Sequence, residues 1–247
     1  MDRSLYIAMS GAKQTLLAQA ANANNLANSQ TVAFKSDLQQ FRSMPVFGPG
    51  YPTRVYAMTE RPGTDLTPGV IQTTGRNLDV AIKGDGWIAV QGRNGQEAYT
   101  RAGDFRLTTT GLLQTGTGLP VLGNDGPIAI PPADKLEIGR DGTISIIPLG
   151  DNAATLVEVD RIRLVKPPLD KLEKLNNGEL HLKKGEPPLK PDASVTLVQG
   201  ALEGSNVNTI DALVQVIELA RNFELQVKAM QTTDENSAAA AKLMKMA

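Results

Sequence analysis

Leu78-Asp79-Val80-Ala81-Ile82-Lys83-Gly84-Asp85-Gly86-Trp87-Ile88-Ala89-Val90 reads as strand, turn and strand. Apolar residues alternate up to Ile82, Gly84-Asp85-Gly86 reverses the chain, and a second apolar run starts at Trp87. A period of two punctuated by glycine belongs to β structure with a buried face. The punctuation recurs downstream at Gly92-Arg93-Asn94-Gly95, Gly103-Asp104, Gly123-Asn124-Asp125-Gly126 and Asp141-Gly142. Turns this regular between short apolar runs predict antiparallel all-β structure. Further strands are expected at 128–130, 136–138, 144–147, 157–164 and 195–199. Between the last two, Pro167-Pro168, Pro187-Pro188 and several lysines mark an exposed loop.

Upstream of the β pattern, residues 29–75 carry Pro45, Pro49, Pro52, Pro62 and Pro68. Proline fixes φ and biases its predecessor toward extended geometry, which predicts an extended arm with room for a short helix at 36–43. The two ends of the chain read as helix. Leu5, Met9, Ala12, Leu16, Ala23 and Leu26 recur at three- and four-residue steps, as do Ile210, Leu213, Ile217, Ala220, Val227, Met230, Ala241 and Met244. The asparagine-rich run 22–28 ends the first helix, and Ser205 or Asn208 caps the second. Four segments follow: an N-terminal assembly helix 1–28, an extended arm 29–75, a β domain 76–203 and a C-terminal assembly helix 204–247. The expected fold is mixed, a mainly antiparallel β domain bracketed by N- and C-terminal amphipathic α-helices. Each apolar stripe needs a partner surface, either the other helix or another copy of the chain. We expect an antiparallel or coiled pair in which Val214 and Ile217 meet residues among Leu5, Met9 and Leu16, within a chain or between chains.

With 247 residues, 41% apolar and 4% aromatic, the chain can bury one modest core. Net charge is −1 and like charges form no long block, which argues against nucleic acid or an anionic membrane as partner. The chain has no cysteine, so disulfides, thiolate metal sites and cysteine catalysis are excluded. No apolar run approaches the roughly 18 residues of a membrane span. The N-terminus lacks the unbroken apolar core of a secretory signal, so export would proceed without a cleaved signal peptide.

Candidate chemistry is sparse. The one histidine, His181, alternates with Leu180 and Leu182 and is expected at the surface. Gly84-Asp85-Gly86 sits between strands and not before a helix, so it reads as a hairpin turn and not a nucleotide loop. No Asp-x-Asp-x-Asp-Gly loop offers a calcium site. Arg221, Phe223 and Glu224 lie beside the apolar stripe of the last helix. They fit either an intrahelical ion pair with a core phenylalanine, or charges that set register against a neighbouring helix.

Five blocks in order resemble the signatures of bacterial flagellar rod and hook proteins. Asn24-Asn25-Leu26-Ala27-Asn28 with Thr31 and Phe34-Lys35 is the first, and Leu78 to Ile82 with Gly84-Asp85-Gly86 and Trp87 the second. Tyr99-Thr100-Arg101-Ala102-Gly103-Asp104-Phe105, continuing through Gly111 to Leu122-Gly123, is the third. Gly200-Ala201-Leu202-Glu203-Gly204-Ser205-Asn206-Val207 and Arg221-Asn222-Phe223-Glu224 complete the set. The chain departs at Ala33, where the family usually has glycine. Alanine resists positive φ, which argues against a left-handed backbone there. The opening Met1 to Ala12 looks most like the proximal-rod members, with the distal rod protein second in line by length. A phage-tail-like tube protein is the reading outside the family.

The resemblance implies a structural subunit and no enzyme, with no cofactor and no metal. It implies export unfolded by the flagellar type III apparatus and polymerisation into a hollow rod crossing the periplasm, the drive shaft that transmits torque and carries the export channel. The terminal helices would line an inner tube, with the β domain outside. Partners would be proximal and distal rod proteins, further copies of the chain and the export apparatus. The interface candidates are Leu5, Met9, Leu16, Asn25, Leu26 and Asn28 in the first helix and its end, and Phe34 and Lys35 after it. On the C-terminal side they are Asn206, Val207, Leu213, Ile217, Arg221, Phe223, Glu224, Val227 and Met230. Phe34 is expected to anchor in a groove formed between subunits, with Lys35 in solvent or against a neighbour's carboxylate.

Overall fold

Strands form where the sequence alternates and helices where it does not. A computed structural model describes residues 3–45, 55–60, 63–149, 156–175, 178–183 and 185–246. Met1, Asp2, Pro49, Pro52, Pro62 and Ala247, assigned above to helix or arm, lie outside the described residues. The chain starts with α1 (Arg3–Ala27), then β1 (Gln40–Pro45), β2 (Val55–Glu60) and β3 (Ile71–Thr73). Next come β4 (Val80–Lys83), β5 (Trp87–Gln91), β6 (Glu97–Thr100), β7 (Arg106–Leu107) and β8 (Leu113–Gln114). After them run β9 (Ala133–Ile138), β10 (Thr143–Pro148), β11 (Val157–Arg161) and β12 (Leu164–Val165). The last are β13 (Leu172–Lys174), β14 (Leu180–Leu182), β15 (Thr196–Gln199), β16 (Ala201–Glu203) and α2 (Thr209–Met246). Every strand pair among the described residues is antiparallel.

The chain divides into two units. One comprises Met1–Ser29, Asp37–Thr64 and Val207–Ala247; the other comprises Gln30–Ser36 and Asp65–Asn206. In the first, α1 and α2 pack antiparallel. Asn22 Nδ2 donates to the Ala212 carbonyl at 2.8 Å, and a Cβ on Gly11 would lie 2.9 Å from Gln226. Two heptad lines are buried on α1: Ala8, Thr15 and Asn22, and Gly11, Ala18 and Asn25. On α2 the inward set is Ala212, Leu219, Gln226 and Thr233 with Val216, Phe223 and Met230, flanked by Ala220 and Val227. Steps of three and four along both helices are coiled-coil spacing, and the small residues of α1 let the backbones approach.

The expected pairing of helices is present, and within the chain it leaves the Met9, Leu16, Val214 and Ile217 faces outside the seam. Met9 is 54% exposed, Leu16 49%, Val214 49% and Ile217 54%. Met9 and Leu16 stand one position beyond Ala8 and Thr15, and Leu213 and Ile217 one beyond Ala212 and Val216. One residue is about 100° of helix rotation. Each helix therefore carries two faces, a seam used within the chain and a stripe of larger apolar side chains turned outward.

The described residues between 37 and 64, expected as part of an extended arm, fold with the helices. β1 pairs with β2 from Gln40↔Glu60 to Pro45↔Val55, so the short helix expected at 36–43 does not form. Pairing with β-branched and aromatic Val55, Tyr56 and Thr59 overrides a weak local helical pattern. Gln14 of α1 fastens the ribbon: its Oε1 accepts from Thr59 N and its carbonyl from Thr59 Oγ1, each at 3.0 Å. Asn25 imitates a strand neighbour, accepting from Asp37 N and donating to Asp37 O at 2.9 Å. The caps fall as expected, with α1 ending at Ala27 and Asn208 Oδ1 accepting from Ile210 N at 3.0 Å at the start of α2.

In the second unit, β5 sends Ile88 and Val90 into one apolar cluster with Phe105, Val121 and Ile144, and Trp87 and Ala89 into another with Tyr99 and Val165. Its sheet, ordered β12-β5-β6-β14-β13, is thus covered on both faces. The turns at 92–95 and 139–143 join hairpins β5–β6 and β9–β10. Gly84-Asp85-Gly86 does not close a hairpin, since β4 pairs with β15 and β5 with β6 and β12. The turn instead passes the chain from one sheet to the next. The strand expected over 157–164 is likewise divided, β11 joining β10 and β12 joining β5. Gly103 is obligatory in this packing, because a Cβ there would lie 1.9 Å from the Val80 carbonyl oxygen.

Ala18 lies on the α1 seam between Gly11 and Asn22 and is 2% exposed. Ala18→Leu should overpack it and cost about 1–3 kcal/mol in denaturant unfolding. Leu17→Ala, one position away and half exposed, should stay within about 0.5 kcal/mol.

Candidate functional site

The signature segments, far apart in sequence, meet at one buried carboxylate. β16 alternates Ala201 inward, Leu202 partly outward and Glu203 inward, which leaves Glu203 with no exposed surface. A buried anion is tolerable only when paired. Lys35 Nζ lies 2.7 Å from Glu203 Oε1, and Arg101 Nε 2.7 Å from Oε2. Gly69 N also donates to Oε1, at 3.0 Å. The remaining donors of the two cations meet carbonyls: Lys35 Nζ bonds Thr67 O at 2.6 Å, and Arg101 bonds Gly86 O at 2.9 Å and Gly84 O at 3.0 Å. Arg101 also lies 5.7 Å from the centroid of the Trp87 ring. Burial pulls the Lys35 ammonium below its ordinary value, while the hydrogen bond and charge of Glu203 push it back up. Residues 35, 101 and 203 thus pair two cations with one carboxylate inside the β unit, and backbone carbonyls meet the donors left over.

Backbone bonds reinforce the cluster. Ala33 N donates to Glu203 O at 2.8 Å, and Asn206 N donates to Phe34 O at 3.2 Å. Asn206 Oδ1 accepts from Ser36 N at 2.8 Å, and its Nδ2 donates to Asp65 O at 2.9 Å. Ala33 adopts φ 52°, so the left-handed backbone is present although the residue is alanine. The bond from its amide and the burial of Lys35 two residues on hold it there against the usual steric cost. Phe34 is half-buried, with Lys174 Nζ 4.3 Å from its ring centroid. Lys35 is buried and paired within its own chain, which corrects the expectation of a solvated lysine or one met by a neighbour.

The other candidates divide between the two faces of the helices. Met9, Leu16, Leu213, Ile217, Arg221 and Glu224 are exposed, and Leu5, Leu26, Asn28, Val207, Val227 and Met230 partly buried. Asn25 is buried against Asp37, and Phe223 sits in the seam. No ion pair joins Arg221 to Glu224 among the described residues. His181 is buried, not exposed, because β14 lies inside a sheet covered on both faces; its Nε2 is 3.1 Å from Glu179 Oε2. Among the described residues no group of three His, Asp or Glu side chains converges to hold a metal, and no helix is long and apolar enough to cross a membrane. Sequence reading missed Glu203 and Arg101 as a pair. The signal was there: each charge sits two residues after an inward-facing apolar residue, Ala201 and Tyr99.

Two family models match the chain. The flagellar hook protein FlgE/F/G D1 domain covers 81–146, and the C-terminal domain of flagellar basal body rod FlgEFG proteins covers 198–243. The chain is 42% identical to the flagellar basal-body rod protein FlgF of Escherichia coli K12 and 40% identical to that of Salmonella typhimurium, over the full length of both partners. Against the flagellar basal-body rod protein FlgG of Bacillus subtilis it is 34% identical, over 95% of this chain and 96% of that one. The chain belongs to the flagellar basal-body rod protein family, a family of structural proteins. Within it, the similarity is greater to FlgF than to FlgG.

Glu203→Gln should cost about 3–5 kcal/mol of stability, since it leaves two buried cations without an anion. Lys35→Met should cost less, because Arg101 still pairs with Glu203. Ala33→Gly should raise stability by about 1 kcal/mol or less, the relief of a left-handed alanine offset by glycine's greater chain entropy. Urea midpoints of the three variants check the order.

Proposed function

We propose that this chain is a structural subunit of the proximal part of the flagellar basal-body rod, without enzymatic activity. Its helices pack against those of other rod proteins and of further copies, forming a helical tube around the export channel. The assembled rod spans the periplasm and transmits torque. The chain reaches it through the flagellar export apparatus, unfolded and without a cleaved signal peptide. Met9, Leu16, Leu213 and Ile217 are the apolar contacts of this assembly, with Leu5, Leu26, Val227 and Met230 at their margins. Arg221 and Glu224 set register against neighbouring helices.

The observation that carries the reading is the second face of each helix. Within the chain, the seam of small residues already joins α1 to α2. Yet Met9, Leu16, Leu17, Ile210, Leu213, Val214 and Ile217 remain between 49% and 72% exposed. Burying a side chain of this size contributes about 1.5–3 kcal/mol. A soluble chain that leaves so many in one stripe per helix gains that energy only by assembling. The family membership and the full-length similarity to FlgF supply the assembly in question.

The test is a strain lacking the gene, complemented with the double variant Leu213→Glu, Ile217→Glu. The purified variant should keep its circular dichroism and its unfolding midpoint to within about 0.5 kcal/mol, as exposed positions do. The strain should assemble no rod beyond the level of this subunit and should not swim. Normal motility would remove the outward stripe from the assembly.

A further inference from the structure

We infer that Glu203 closes the β unit last, and that the segment leaving α1 and the segment entering α2 become fixed in that single event. Residues 200–206 tie together three stretches that precede them. Gly200 N bonds Asp79 O and Gly204 N bonds Val70 O, while Thr74 N bonds Gly200 O. Ala33 N bonds Glu203 O, Asn206 N bonds Phe34 O, and Ser36 N bonds the Asn206 side chain. Apart from this stretch, the Lys35 ammonium bonds Thr67 O, the Ser36 carbonyl accepts from Asp65 N, and Lys174 lies beside Phe34 and the Lys35 carbonyl.

The charges make the order compulsory. Lys35 and Arg101 have 2% and 3% exposed side chains, and the carboxylate they share is Glu203. Carbonyl oxygens alone do not repay the desolvation of two cations. Before Glu203 arrives, the segments bearing them gain by staying in water, and with them the Gly84-Asp85-Gly86 turn that accepts from Arg101. The strands β9 and β10 have no such requirement. They form from contacts close in sequence, which order early because little loop entropy is lost. Residues 33–36 and 200–206 are therefore fixed within the β unit together.

Pulsed hydrogen exchange with mass spectrometry during refolding of the full-length protein tests this. Peptides from 138–147 should gain protection first. Peptides covering 33–36, 69–74 and 200–206 should follow in one later phase with a common rate. At equilibrium, full-length Glu203→Gln should lose protection in these three stretches together, by roughly tenfold or more, while 138–147 keep theirs. Protection of 33–36 in the same phase as 138–147 would overturn the inference. So would a Glu203→Gln protein in which 200–206 alone loosens. If that variant does not fold, the refolding order of the unmodified chain decides the question alone.

Discussion

A carboxylate with no exposed surface cannot remain ionised in a protein interior unless cations and donors surround it, and the β unit is organised around meeting that condition. Glu203 takes one cation from the segment following α1 and another from the end of β6. It takes an amide from Gly69, in the stretch that leads into β3. Satisfying the cations in turn recruits the carbonyls of Thr67, Gly84 and Gly86. A single charge thereby sets the positions of four chain segments, with a directionality that apolar packing lacks. The apolar clusters supply the bulk of the driving force, but they do not specify where residues 30–36 belong. Among buried ion pairs this is the use best matched to their energetics: modest net stabilisation, with a large penalty for any arrangement that separates the partners.

The helices solve a different problem with the same economy of residues. Pairing the two ends of the chain uses one surface of each helix and leaves a second. On α1 the inner surface is built from alanine, glycine, threonine and asparagine and the outer from methionine and leucine, whereas α2 also turns Val216, Leu219, Phe223 and Met230 inward. Small residues permit close approach at little cost in side-chain entropy. The larger outward ones stay exposed within the chain. The small residues of α1 thus receive the larger side chains of α2.

Much of this was legible in the sequence. Gly92 to Gly95 and Asp141-Gly142 identify hairpins because the left-handed backbone of such turns is affordable to few residues. Asn28 and Asn208 mark helix ends because their side chains compete for terminal backbone groups. The partner of each helical face stayed open for a physical reason: the largest apolar residues are normally inside, and a single sequence does not say whether inside means within the chain or within an assembly. The pairing of β4 with β15, more than a hundred residues apart, left no trace in local pattern, so Gly84-Asp85-Gly86 passed for a hairpin turn. His181 was placed outside by correct alternation on a sheet whose second face is also covered. Glu203 was readable in principle, since a charge in register with Ala201 on a strand asks for a partner. Which cations would answer depends on the tertiary fold.

The offset of one residue between seam and stripe also constrains how such a chain can change length over evolution. Deleting a single residue within α1 would rotate everything beyond it by about 100°. Leu16 and Ala23 would then occupy the seam positions of Thr15 and Asn22, and the internal and external surfaces would exchange roles. A substitution alters one contact, whereas a deletion here would reassign a whole face. Insertions and deletions among relatives should therefore gather in the turns of the β unit, while both helices keep their residue count.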